Sequence, residues 1–250
     1  MRLKIEHISK SFGDREVLSD INLTLGEGEI VSILGVSGVG KTTLFNVISG
    51  VYQPEQGKIY LEGRDITGKP GNISYMLQND MMFPYKSVLD NVALPLQIKS
   101  KGNPFTRKKR ARSEAEKYFE EFGLGGYEKK YPAQLSGGMR QRAALLRTYL
   151  FSSQVALLDE PFSALDTITK SAMHEWYLQV MEKIKLSTLF ITHDIDEAIL
   201  LSDRIYILSG RPGRITDMIN VEKPHLKDDS FLLSAEFIGY KKMIRNRLEM

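Results

Sequence analysis

Residues 29–50, EIVSILGVSGVGKTTLFNVISG, decide the fold. The segment opens with an apolar run over 30–34, which reads as a buried strand. A glycine-rich turn follows over 35–40. Lys41, Thr42 and Thr43 then begin a segment with apolar residues at Leu44, Phe45, Val47 and Ile48, which reads as a short helix ending at Gly50. Strand, glycine loop and helix joined by G-x-x-x-x-G-K-[ST] form a phosphate cradle. The glycines let backbone N–H groups turn inward around an anion, and the helix N-terminus adds partial positive charge. Gly35, Val36, Ser37, Gly38, Val39, Gly40, Lys41, Thr42 and Thr43 are the expected nucleotide-binding residues. Lys41 is placed to reach the β- and γ-phosphates, and the Thr42 hydroxyl to bind magnesium.

The bulk properties set the frame. A chain of 250 residues is long enough for one large domain or two modest lobes. Its hydrophobic content of 42% and charged content of 26% are ordinary for a globular protein. A net charge of +3 is too small to point to nucleic acid. The absence of cysteine excludes disulfides, thiolate zinc sites and cysteine-held clusters, and suits a reducing cytoplasm. No apolar run approaches the roughly 20 residues that span a bilayer. Work at a membrane therefore calls for a partner.

Outward from the phosphate loop, residues 2–34 alternate apolar and polar positions in short strands, with turns at Gly13-Asp14 and Gly26-Glu27-Gly28. Phe12 is placed in a turn after the first strand. An aromatic there can stack on adenine, although an aromatic beside a turn is more often packing. Residues 58–61 and 73–77 read as further strands, the second ending at Gln78. From 88 to about 147 the pattern is helical, with Ala111, Ala115, Tyr118, Phe119 and Phe122 on one face. The basic run Arg107, Lys108, Lys109, Arg110 and Arg112 reads as a solvated helix face rather than a lipid or nucleic-acid patch. Leu135-Ser136-Gly137-Gly138 then starts a helix with Ser136 as N-cap. That start is either a second anion site or a plain capped loop; local sequence does not separate the two. Residues 155–158 form a buried strand ending in Asp159-Glu160. Paired carboxylates at a core strand end are costly unless a cation or a reaction uses them. The strand over 188–192 ends on His193, and 204–208 forms another strand. The edge carrying strand C-termini is where parallel α/β sheets bind ligands.

Taken in order, these pieces resemble the ATP-binding cassette (ABC) ATPases over nearly the whole chain. GVSGVGKTT is the phosphate loop, Gln78 sits at the Q-loop position, and LSGGMRQR resembles the family signature. VALLDEP is the Walker B strand with Glu160 adjoining, SALD from Ser163 to Asp166 the D-loop, and His193 the switch histidine. Met139 departs from the usual Gln in the signature, and Val36 and Val39 stand where small or polar residues are commoner. Phe12 falls where the family keeps its adenine-stacking aromatic. FPYKSVLDNVALPL and RPGRI resemble importer cassettes for nitrate, sulfonates, taurine and thiamine pyrimidine precursors.

The resemblance implies an α/β fold: a RecA-like P-loop NTPase core with an antiparallel β subdomain and a helical subdomain insert. Residues 1–87 and 148–250 are the expected core, and 88–147 the helical lobe. It implies an ATPase that uses ATP with Mg²⁺, the metal held by Thr42, Gln78 and Asp159. Glu160 is the implied base, His193 the residue aligning water and γ-phosphate, and Gln78 the link to the helical lobe. Ser136, Gly137 and Gly138 of one copy are implied to cap ATP on another, in a homodimer. The implied partners are a transmembrane permease and, indirectly, a solute-binding protein, with no nucleic acid. The implied location is the cytoplasmic face of the cell membrane. A soluble ABC ATPase of DNA repair or translation usually carries twin cassettes or a long coiled-coil insert, which this chain lacks. A phosphate-loop kinase leaves LSGG and SALD unexplained.

Overall fold

The computed structural model describes residues 1–152, 154–222 and 229–248. Its centre is β3 (Ile30–Leu34), buried at every position. β7 (Val155–Asp159) and β8 (Ser187–Thr192) are buried throughout as well. Strands covered on both faces carry apolar residues at successive positions, not alternate ones, and the small polar residues among them, Ser32, Ser187, Thr188 and Thr192, are buried too. They belong to a six-stranded sheet of order β10-β9-β3-β8-β7-β6, completed by β6 (Ser74–Met76), β9 (Arg204–Ser209) and β10 (Arg214–Asn220). All its pairings are parallel except β9–β10. A second, antiparallel sheet of order β2-β1-β4-β5 contains β1 (Leu3–Phe12), β2 (Arg15–Leu25), β4 (Gln56–Leu61) and β5 (Arg64–Asp65).

The period-two geometry of a strand divides the core. Val155, Leu157, Leu189 and Ile191 pack towards the antiparallel sheet, with Ile5, Leu25 and Phe45. Ala156, Leu158 and Phe190 face the opposite way, towards the helices. Each fully buried Leu, Ile or Phe contributes about 1.5–3 kcal/mol. The large apolar clusters on both faces therefore hold the strand ends rigidly in place.

α1 (Lys41–Ile48) follows β3. The helical segment comprises α2 (Val88–Val92), α3 (Leu94–Lys99), α4 (Pro104–Glu116) and α5 (Gly137–Phe151). α5 runs unbroken past position 147, the expected lobe boundary. The expected apolar face is only partly helical, because α4 stops at Glu116. Ala111, Ala115, Phe119 and Phe122 are nonetheless all buried together. A series of tight turns, including Phe119 N–H to Glu116 and Phe122 N–H to Tyr118, keeps them on one side. α6 (Thr167–Ile184), α7 (Ile195–Leu201) and α8 (Ala235–Leu248) complete the chain. Among the described residues, no helix is long and apolar enough to cross a membrane.

Two smaller expectations are corrected. Phe12 is the last residue of β1, paired with Arg15 across the hairpin, rather than part of the turn. The strand expected over 73–77 is confined to Ser74–Met76, and Leu77 is already exposed.

Candidate active site

Parallel pairing puts three strand ends at one edge: Leu34 opposes Thr192, and Asp159 opposes Ile191. The loops leaving these strands carry the phosphate loop, Glu160 and His193. Gly40 ends the phosphate loop as N-cap of α1 at φ 110, ψ 10, a conformation open to glycine and strained for other residues. Gly35 is fixed by a close approach, since a Cβ there would lie 2.4 Å from the Leu208 carbonyl oxygen. Lys41 is buried, and its Nζ donates to the carbonyls of Gly35 at 2.7 Å and Val36 at 3.1 Å. An ammonium has three donors, so one remains. Burial lowers the Lys41 pKa, and the carboxylates of Glu160 and Asp159 work against that shift. Val36, Ser37 and Gly38 are exposed along the loop. The Val39 side chain is buried in the core shared with the antiparallel sheet. Thr43 is half-buried in the first turn of α1.

The Thr42 hydroxyl donates to Asp159 Oδ2 at 3.1 Å, and the Tyr75 hydroxyl donates to the same oxygen at 3.3 Å. Asp159 is buried at the end of β7, and burial raises its pKa despite these two hydrogen bonds. Burial likewise pushes the Tyr75 phenol up, with Asp159 adding to it. A buried carboxylate beside a hydroxyl is a hard oxygen pair, suited to Mg²⁺ completed by phosphate oxygens and water. No cluster of three or more His, Cys, Asp or Glu able to hold a metal occurs among the described residues.

Glu160 turns off the strand at φ 47, while its N–H still donates to the Ile191 carbonyl at 3.1 Å. Its Oε1 lies 3.0 Å from His193 Nδ1. Gln78 Nε2 is 3.4 Å from Glu160 Oε2 and 3.4 Å from Ser163 Oγ. The structure therefore brings Gln78, Glu160 and His193 into one bonded group, and Thr42 with Asp159 into another. No hydrogen bond among the described residues joins Gln78 to Asp159 or Thr42. Phe12 is exposed at the hairpin and meets the exposed Tyr52 edge to face at 5.4 Å.

Ser136 caps α5, its hydroxyl accepting from Met139 N–H at 3.3 Å. Gly137 and Gly138 form the first turn of α5. No hydrogen bond among the described residues connects these three residues to the phosphate loop. Sequence reading missed Tyr75, Tyr52 and the buried Asn91. Asn91 accepts from Phe83 N–H at 2.7 Å and donates back to the Phe83, Lys86 and Ser87 carbonyls, pinning the loop before α2. The available signal for Tyr75 was a phenol in an otherwise buried strand. A buried hydroxyl needs a partner, and the neighbouring strand supplies Asp159.

A glycine loop between a buried parallel strand and a helix, with Lys41, Thr42 and Asp159 around it, defines a P-loop nucleoside-triphosphatase. The ABC transporter family matches residues 18–163. The formylaminopyrimidine import ATP-binding protein ThiZ of Halalkalibacterium halodurans is 44% identical over 84% of this chain and 80% of its own length. The aliphatic sulfonates import ATP-binding protein SsuB of Bacillus cereus is 36% identical over 100% of this chain and 96% of its own. A dimeric ATP-binding cassette, solved in a post-hydrolysis state with ADP and Pi, is 29% identical with a TM-score of 0.69. That match covers 88% of this chain and 99% of the other. The chain belongs to the ABC transporter family, as its ATP-binding ATPase subunit.

Proposed function

We propose that this chain powers an importer for a small solute of the sulfonate, nitrate, taurine or thiamine-pyrimidine class. The observation that carries the reading is the convergence at one sheet edge of two bonded groups, Thr42 with Asp159 and Gln78 with Glu160 and His193, beside the buried Lys41. The names of the sulfonate and formylaminopyrimidine import proteins support the importer assignment.

In this reading the N–H groups of residues 35–43 and the free Lys41 hydrogen bind the β- and γ-phosphates, and Phe12 stacks on adenine. Thr42 and Asp159 hold Mg²⁺, with Gln78 joining through its exposed amide. The bound metal supplies charge neutralisation on the transferring phosphoryl group. Glu160 accepts the proton of the attacking water, and His193, fixed against Glu160, keeps water and γ-phosphate in line. The Ser136–Gly138 helix start of a second copy caps the γ-phosphate. The dimeric ADP-bound cassette supports this shared arrangement. Residues 88–147 act as a helical lobe on the core formed by 1–87 and 148–250, with Gln78 at the junction. The partner is a transmembrane permease fed by a solute-binding protein, which places the chain at the cytoplasmic face of the membrane.

The test is phosphate release by the purified chain with ATP. Turnover that requires Mg²⁺ and disappears in Lys41→Ala supports the reading. Turnover that survives Lys41→Ala overturns it. Solute-stimulated turnover with the co-purified permease then identifies the cargo.

A further inference from the structure

We propose that His174 is a positioning residue: it holds the His193 turn through one buried carboxylate, Glu197, and the Glu160 turn through its contact with the Phe162 ring. The inference rests on the roles proposed above for Glu160 and His193.

His174 is on α6, on a face otherwise occupied by buried Met173, Tyr177, Val180 and Met181. Nothing in that apolar stripe calls for an imidazole. A buried polar ring needs a partner, and this one reaches across to α7, where its Nε2 lies 3.2 Å from Glu197 Oε1. A carboxylate only accepts, so the hydrogen is on Nε2. Glu197 is 3% exposed. Its Oε2 accepts from the Thr192 hydroxyl at 2.5 Å, and Oε1 also lies 3.6 Å from Lys170 Nζ. Thr192 Oγ1 in turn accepts from Asp194 N–H at 3.0 Å. Asp194 caps α7 by accepting from the N–H groups of Asp196 and Glu197, and takes Lys170 Nζ at 3.2 Å. The residues on both sides of His193 are therefore bound to one network whose buried anchor is the His174–Glu197 pair.

The second arm runs through packing. The His174 ring stands edge-on to Phe162 at 4.9 Å. Phe162 is two residues beyond Glu160, in the turn begun by the positive φ of Glu160. Movement of the α6 ring would thus be felt by both turns whose side chains meet as Glu160 and His193. A buried hydrogen-bonded polar pair contributes little net stability compared with an apolar pair of similar shape. Its value here is geometric: it fixes a turn that carries a reacting-site side chain.

The experiment measures kcat and KM for Mg-ATP, and the unfolding midpoint, on the purified chain and three variants. His174→Ala should lower kcat by about 10–100-fold, the scale of a small misplacement at a reacting centre, while KM stays near wild type. His174→Gln, whose amide Nε2–H can reach Glu197, should recover most of that loss. Val180→Ala leaves a cavity on the same helix face and should lower the midpoint while leaving kcat near wild type. Wild-type turnover in His174→Ala overturns the proposal, as does an equal kcat loss in Val180→Ala. Should His174→Ala not fold, Thr192→Val carries the test, because it cuts the network at the hydroxyl between Glu197 and Asp194. The same kcat loss at unchanged KM is then expected, and wild-type turnover overturns the proposal. Absence of ATP hydrolysis in the wild-type chain would instead overturn the underlying functional reading.

Discussion

Glu160 and His193 meet at 3.0 Å, Oε1 to Nδ1, from the ends of two different parallel strands. Each residue follows the last residue of its strand, Asp159 on β7 and Thr192 on β8. The strand pairing Asp159–Ile191 sets the two ends level. The left-handed turn at Glu160 then swings its side chain across the gap. Register and one backbone torsion together create the pair.

Glu160→Gln should cut ATP turnover by about 10²–10⁴-fold, the usual contribution of a general base. The amide keeps the size of the side chain and its contact with Gln78, so nucleotide binding should persist. ATP should then hold two copies together, visible as an earlier peak in size exclusion. Near-wild-type hydrolysis would remove Glu160 from the chemistry.

Asp159→Asn tests the buried carboxylate. Burial raises its folded pKa above the unfolded value. A raised carboxyl costs stability once ionised: the cost is absent below the unfolded pKa, grows as pH climbs through the folded pKa, and is complete above it. Asn keeps an acceptor for Thr42 and Tyr75 without the charge. The metal-free variant should therefore melt higher than wild type at neutral pH, by about 2–4 °C per kcal/mol relieved. The gap should close as pH falls through the folded pKa. Mg²⁺-dependent turnover should be lost in the same protein. A lower melting temperature at neutral pH would show that the ionised form is net stabilising.

The parts of this architecture that were legible share a local cause. β3, the phosphate loop and α1 declare themselves through an apolar run broken only by the small, buried Ser32, glycine punctuation and Lys41-Thr42 within a short span. β7 is equally plain, because burial on both faces leaves no polar position until Asp159, and β8 shows the same Leu189–Ile191 run between the small buried hydroxyls of Thr188 and Thr192. What escaped depends on distant partners. Tyr75 and Asp159 are 84 residues apart, and His174 and Glu197 are 23 apart. No periodicity links either pair. Val39 sits within the phosphate-binding motif, yet its side chain belongs to the core; sequence alone cannot tell which way a loop residue points. α4 ends at Glu116 although its apolar spacing continues, because successive turns can keep residues on one side without a helix.

The composite site can be tested by mixing Lys41→Ala with Ser136→Arg. Each homodimer should be inactive at both sites. In the mixed dimer one site carries both lesions and the other carries none, so part of the activity should return. Ser136 also caps α5, and its loss costs about 1 kcal/mol, so helix content should be checked by circular dichroism. Failure of mixing to restore turnover, with heterodimers demonstrated, would count against a shared site.

The remaining surface is the loop between Gln78 and α2. It has neither helix nor strand, and Asn91 holds it by four hydrogen bonds. Met82 packs inward against the helical cluster, whereas Met81, Phe83 and Tyr85 are 57%, 38% and 71% exposed. Phe83 and Tyr85 lie 5.6 Å apart and form a small apolar face. Clustered exposed apolar residues tend to mark interaction sites, and this one adjoins Gln78. The proposed occupant is a short cytoplasmic helix of the permease. Tyr85→Glu would bury an unpaired charge in that contact, at a cost of several kcal/mol. With 71% of Tyr85 exposed in the free chain, the melting temperature and isolated ATPase activity should stay near wild type. Copurification with the permease and solute uptake should both fall sharply. Full uptake by the variant would move the docking surface elsewhere, and loss of folding would show that the ring is structural.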